Sequence, residues 1–254
     1  IGITLLLFSP TFVVGLVVIV IAFIGAQELT SMLAKAEGEE TPGLLPEWFL
    51  PATAVLMGLG ALKGETGLHA ALLISVVGWI FYELIFTPKS ELTKLSALGF
   101  GLFGMVWAVW SVLHITLIKG LPEGTALLFY LLIVISFSDI FAYFGGKRFG
   151  KSLLAPNISP KKTWEGSFFG VLGGGIVGAV FGELTMSMFW LHGLLLAMLL
   201  AVIGQLGDLV ESKIKRLCDV KDSGTLLPGH GGILDRIDGH MLAAPVFYYL
   251  LQLG

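Results

Sequence analysis

The chain has 254 residues, of which 56% are hydrophobic and 13% charged, with a mean hydropathy of +0.90 and a formal net charge of −3. Soluble domains carry about 25% charged residues, so this composition excludes an ordinary water-soluble fold and points to an integral membrane protein. The single cysteine, Cys218, excludes an internal disulfide.

Apolar runs broken by polar stretches predict helices in chain order at 1–8, 11–34, 48–62, 67–86, 95–118, 124–145, 165–184, 189–216 and 239–253. The expectation is an all-α polytopic membrane protein with about eight or nine transmembrane helices. The sequence opens at Ile1 inside an apolar run, so the first helix is expected to be a remnant whose start precedes this sequence. Residues 1–8 lack a small-residue cleavage site, and a signal peptide is not expected. The run at 165–184 carries Gly170, Gly174 and Gly178 at four-residue spacing. With no strand before them, these predict close helix–helix packing rather than a phosphate loop. Short loops predict one membrane domain over 1–254, with mainly apolar helices over 1–130 and the chemistry-bearing half over 131–254.

Basic residues orient the chain. With the 146–164 loop placed on the cytoplasmic side, alternating helices put every Lys and Arg there except Lys63 and Lys119. The aspartates Asp139, Asp208, Asp219, Asp222, Asp235 and Asp238 all follow residue 138 and fall on or near that same face. Asp139 lies eight residues, or about 12 Å of helix, before Lys147. An ionisable group at that depth is a functional candidate by default. Gln205, Asp208, Glu211, Ser212 and Lys215 share one helical face. If the last helix begins near Ile233, Asp235 and Asp238, three apart, project from one face of its first turn. Their carboxylates suit a hard divalent cation, although helix capping and dipole compensation are the alternative. Gly224, Gly229, Gly231 and Gly232 are expected to let backbone amides approach a phosphate at that helix start. Lys221 and Arg236 stand beside them, and Lys161 and Lys162 form a second basic segment on the same side. Asn157-Ile158-Ser159 matches a glycosylation pattern, which the expected cytoplasmic placement makes a false positive.

The stretch SKIKRLCDVKDSGTLLPGHGGILDRID at 212–238 resembles the signature of the CDP-diacylglycerol synthases, also called phosphatidate cytidylyltransferases. SDIFAYFGGKRFGK and SPKKTWEG resemble two further segments of that family. The three cover 138–238, whereas the first 130 residues match only as apolar helices. The resemblance implies transfer of the cytidylyl group of CTP to phosphatidic acid, giving CDP-diacylglycerol and pyrophosphate. It implies Mg²⁺, with or without a second cation. Asp208, Asp235 and Asp238 are implied metal ligands, with Asp139 a further one. Lys161, Lys162, Lys221 and Arg236 are implied phosphate contacts, and Ser212, Asp222, His230, Gly231 and Gly232 belong to the substrate-binding motif. Implied partners are CTP, phosphatidic acid, the lipid bilayer and a second copy of the chain as a homodimer, and no nucleic acid. The implied location is the bacterial inner membrane, with the site on the cytoplasmic side. Rival expectations are a CTP-dependent polyprenol or lipid kinase, which would release CDP, and an ion-coupled transporter. The transporter would need polar groups continuing toward the outer leaflet, and the outer halves of these spans are nearly uncharged. A CDP-alcohol phosphotransferase would need an Asp-Gly and Ala-Arg pattern that this sequence lacks.

Overall fold

The computed structural model describes residues 8–37, 45–86, 91–225 and 231–253. Its elements are α1 (Thr11–Glu37), α2 (Phe49–Ala61), α3 (Glu65–Phe86), α4 (Glu91–Gly104), a π-helical turn (Met105–Trp110), α5 (Ser111–Gly120), α6 (Gly124–Phe149), β1 (Leu153–Ala155), β2 (Ser159–Thr163), α7 (Trp164–Met186), α8 (Trp190–Leu217) and α9 (Leu234–Leu253). They form two compact units, one of residues 1–120 and 215–236 and one of 121–214 and 237–254.

In the first unit the apolar periodicity of the sequence becomes buried stripes. Val14, Val18, Ala22, Ala26, Leu29 and Leu33 line one side of α1, at the three- and four-residue steps that a buried helix face requires. Leu50, Ala54, Met57 and Ala61 do the same for α2, and Leu68, Ala71, Ser75 and Trp79 for α3. α2 packs against both α1 and α3, and α5 against α1. Trp79 stacks on Phe49 with ring centroids 4.0 Å apart, and its indole N–H donates to the Ala97 carbonyl at 3.3 Å. α4, the π turn and α5 form one continuous helical rod. Within it the Ser111 hydroxyl donates to the Val106 carbonyl at 2.8 Å.

The second unit is organised around α6 and α7, which pack along their length. The glycines of α7 make this possible. A Cβ on Gly170 would lie 2.8 Å from the Ser138 carbonyl oxygen, and one on Gly174 would lie 3.1 Å from that of Val134. A Cβ on Gly178 would run into the Ala197 side chain of α8. The expected packing role of this glycine series is therefore what the structure shows. Tyr130 fastens the far end of the unit, donating to the Gly193 carbonyl at 2.6 Å and stacking on Phe247.

Two expectations change. The helical class holds, but the 146–164 loop contains a two-stranded antiparallel hairpin, pairing Leu153 with Thr163 and Ala155 with Ser159. Pro156 and Pro160 disfavour a helix interior here, and a two-stranded ribbon leaves an edge on which proline is tolerated. Among the described residues, six helices are long and apolar enough to cross a membrane, against the eight or nine expected over the whole chain. α2 has 13 residues, about 20 Å of helix against a hydrocarbon core of about 30 Å. α9 opens with Asp235, Arg236 and Asp238. The predicted helix at 1–8 lies almost wholly outside the described residues.

If α7 depends on missing side chains, Gly178→Ala should lower the midpoint of thermal unfolding in detergent, by about 1–3 kcal/mol of overpacking. Gly78→Ala, at a position with nothing within 4 Å of the added carbon, should leave it unchanged or slightly raised. Equal effects at the two positions would refute the packing account.

Candidate active site

The hairpin delivers the lysines of the second unit. Thr163 caps α7, its hydroxyl accepting from the Gly166 amide at 3.1 Å. Glu165, in the first turn of α7, accepts from the amides of Lys151 and Ser152 at 3.0 and 3.2 Å. The Trp164 amide donates to the Ser152 carbonyl at 3.0 Å. Both arms of the hairpin are thereby tied to the start of α7. Lys162 turns inward and pairs with Asp208 of α8, while Lys161 stays exposed.

Beneath the hairpin lies an open cavity of about 420 Å³. Asp139, Tyr143 and Lys147 of α6 form one wall, Lys161 and Lys162 another, and Gln205 and Asp208 of α8 a third. Gln205 holds the three helices in register. Its amide nitrogen donates to the Ser138 hydroxyl and to the Ser167 carbonyl, both at 3.2 Å, and its oxygen accepts from the Ser167 hydroxyl at 2.5 Å. Asp208 also accepts from Ser212 one turn on, at 3.3 Å. Asp139 interacts electrostatically with Asp238, Asp208 and Lys162. Asp238 feels Asp208 and Lys162, and Glu211 lies beside it. Its own Oδ1 accepts from the Gly239 amide at 2.7 Å.

Asp139, Asp208 and Asp238 are thus brought into one electrostatic cluster with Lys162. Glu211, which the sequence placed on the Asp208 face, joins them fully buried. Among the described residues, no three of His, Cys, Asp and Glu gather closely enough to cage a metal. Mg²⁺ is commonly held by one or two carboxylates, with waters and substrate phosphates completing its shell. Asp208 and Asp238 supply hard oxygens of that kind. They are the residues that could hold such a cation.

In the first unit Asp235 is held by donors of the chain itself. Its Oδ1 pairs with Lys215 at 2.6 Å. Its Oδ2 accepts from the Gly232 amide at 2.8 Å and from the Ser223 amide at 2.9 Å, and the Ser223 hydroxyl lies 2.9 Å away. Burial works against the charge on Asp235. The hydrogen bonds from Lys215, Gly232 and Ser223, with the Lys215 charge, outweigh it and hold the carboxyl down at about 2.

The glycines beside it also differ from expectation. The Gly232 amide is turned to Asp235, and the next two amides, of Ile233 and Leu234, donate to Glu28 of α1 at 2.8 and 3.0 Å. The anion at this helix start is the chain's own carboxylate. A Cβ on Gly231, whose φ is +78°, would collide with Asp235. One on Gly232 would collide with Ser223 and Glu28, and one on Gly224 would lie 2.6 Å from Glu28 Oε1. These three glycines make room for side chains of the protein itself. Lys221, Asp222 and Arg236 are exposed. His230 and Gly229 lie outside the described residues. Glu28 joins this site from a part of the chain that carries no family motif. Its signal was a carboxylate within a predicted span, which is functional by default.

Among the described residues, six helices long and apolar enough to cross a membrane, with a cavity lined by lysines and carboxylates, mark a polytopic membrane protein. The chain belongs to the cytidylyltransferase family, whose model matches residues 1–254. It is 47% identical over 131 residues to a phosphatidate cytidylyltransferase of Bacillus subtilis, covering 51% of this chain and 49% of that one. It is 41% identical over 158 residues to one of Brucella abortus, covering 60% and 57%. With one of Pseudomonas aeruginosa it shares 38% identity over 189 residues, covering 72% and 69%. The matched stretch spans about half of the Bacillus subtilis relative's length.

Asp235 supplies a stability test with a definite sign. Its carboxyl lies below the ordinary 3.8 in the folded protein. The stability it contributes is present above about pH 4 and is lost as pH falls toward about 2. Asp235→Asn should unfold at a lower temperature than the unchanged protein at pH 7. The two melting curves should converge between about pH 4 and pH 2. Curves that stay parallel throughout would dismiss the role of the charge.

Proposed function

We propose that this protein transfers the cytidylyl group of CTP to phosphatidic acid, releasing pyrophosphate and forming CDP-diacylglycerol. The observation that carries the reading is the cavity in which Lys162 pairs with Asp208 beside Asp139 and Lys161, in a chain similar to relatives named phosphatidate cytidylyltransferase. A phosphate monoester has a second pKa of about 6, so the lipid phosphate is largely a dianion near pH 7 and needs no general base. One of its oxygens attacks the α-phosphorus of CTP. The bond from that phosphorus to the oxygen bridging the β-phosphorus breaks, and its electron pair leaves with pyrophosphate.

The obstacle is the approach of two polyanions. Lys161 and Lys162, on the hairpin, neutralise phosphate oxygens as charge-assisted donors. The pairing with Asp208 holds Lys162 extended into the cavity, and Gln205 fixes α8 so that Asp208 keeps its place. Lys221 and Arg236 are assigned to the triphosphate by family resemblance. Asp208 and Asp238, with Asp139 nearby, would hold Mg²⁺, which when bound supplies charge neutralisation and alignment for an in-line displacement. Bacterial relatives and the one-sided distribution of Lys and Arg support an inner-membrane location with the site facing the cytoplasm. Family resemblance supports a homodimer.

The test is to incubate the purified protein with labelled CTP and phosphatidic acid, and separately with labelled CTP and a polyprenol, and to identify the lipid and soluble products of each. CDP-diacylglycerol with pyrophosphate is expected. CDP with a phosphorylated alcohol would establish the kinase alternative instead. Exhaustive chelation should abolish turnover, and so should Asp208→Asn, with the protein still folded and inserted. Lys162→Gln should lower kcat/KM by about tenfold to a hundredfold, the usual cost of one charge-assisted contact.

A further inference from the structure

Glu28 stands in the part of the chain where the sequence shows no family motif, yet its carboxylate grips the signature segment. It is 8% exposed. Oε1 accepts from the Ile233 amide at 2.8 Å, and Oε2 accepts from the Leu234 amide at 3.0 Å and from the Ser223 hydroxyl at 2.9 Å. Ile233 and Leu234 open α9, where backbone amides have no intrahelical partner and the helix dipole favours a negative charge. Ser223 bridges this carboxylate to Asp235, which is itself paired with Lys215. The lack of a side chain at Gly224 and Gly232 lets the backbone close on Glu28. Leu234 additionally packs against Gly25 one turn earlier on α1. One carboxylate therefore fastens 223–224 and 232–234, and those stretches lie two residues from Lys221 and from Arg236.

We infer that Glu28 is a positioning residue for nucleotide binding: it fixes the backbone that carries Lys221 and Arg236. The inference rests on the proposed reaction for its kinetic consequence, while the clamp itself can be tested without it. Every group that Glu28 meets in these contacts is a donor. Glu28→Gln keeps the size of the side chain but sets an amide nitrogen against a backbone N–H or the Ser223 hydroxyl, so at least one contact becomes donor against donor.

The experiment compares the unchanged protein with Glu28→Gln and with Ser223→Ala, which removes the bridging hydroxyl and leaves both carboxylates. Amide hydrogen exchange is followed for peptides covering 231–236, and KM for CTP, KM for phosphatidic acid and kcat are measured on the folded fraction. Faster exchange at 231–236 is expected in both variants, more in Glu28→Gln. KM for CTP should rise by about tenfold in Glu28→Gln and less in Ser223→Ala, with KM for phosphatidic acid unchanged. A merely structural role would lower the yield of active protein and leave both KM values alone. That result, or unchanged exchange at 231–236 in the folded variants, would overturn the inference. If Glu28→Gln does not fold, Ser223→Ala decides by the same two readouts. Should the unchanged protein form no CDP-diacylglycerol, the proposed reaction falls and the nucleotide part of the inference with it. The exchange data then judge the clamp alone.

Discussion

A helix start exposes amides that nothing within the helix can satisfy, and α9 meets this constraint with carboxylates from the chain itself. Glu28 takes the Ile233 and Leu234 amides, and Asp235 takes that of Gly232. The two acids share the Ser223 hydroxyl, and Lys215 balances the second of them. A buried acceptor without donors costs about 1–3 kcal/mol, more when charged, so each member of this set depends on the others. The tightness of the loop follows from the same requirement. Its backbone comes close enough to two carboxylates to exclude any Cβ at Gly224, Gly231 and Gly232.

The second unit solves a different problem with different means. Helices in an apolar medium gain little by hiding one greasy face from another, and close backbone approach has to supply the contact. α7 gives up side chains at Gly170, Gly174 and Gly178 to admit α6 and α8. That closeness lets one glutamine bridge three helices. Gln205 touches Ser138 and Ser167 simultaneously because no bulky residue stands between them. The cavity walls inherit this rigidity, and the hairpin above them is tied to the same helix by Thr163 and Glu165.

Much of this was legible in the residues. Apolar runs located α1 to α9, usually within a few residues, because burial follows the three- and four-residue step of a helix. The four-residue glycine spacing at 170–178 announced a packing face. The Gln205–Ser212 spacing put Gln205, Asp208 and Glu211 on one side. Other features could not be read locally. The hairpin hid in a stretch with two prolines that looked like a loop, since two short strands carry little periodic signal. The glycines near 231 announce that an anion comes close, and spacing along the chain does not say which anion. The answer was a glutamate some two hundred positions earlier. Asp235 and Asp238 looked equivalent at three-residue spacing, yet one is met by Lys215 and the other by Glu211 and Asp208. Such partnering is decided by tertiary contact alone.

The π turn at Met105–Trp110 separates two kinds of helix within one rod. Before it, α4 hides a thin line through Ala97, Gly101 and Gly104; after it, α5 is enclosed nearly all round, from Ser111 to Ile118. A π turn holds one residue more than the α-helical path, and one residue of α-helix corresponds to about 100° of rotation. The enclosed half is thereby turned to its own neighbours without a break in the backbone ladder. Removing one residue there would leave composition, hydropathy and length almost untouched. It would nevertheless present the wrong side of every residue from Ser111 onward, so in this segment residue count carries spatial information that residue type does not.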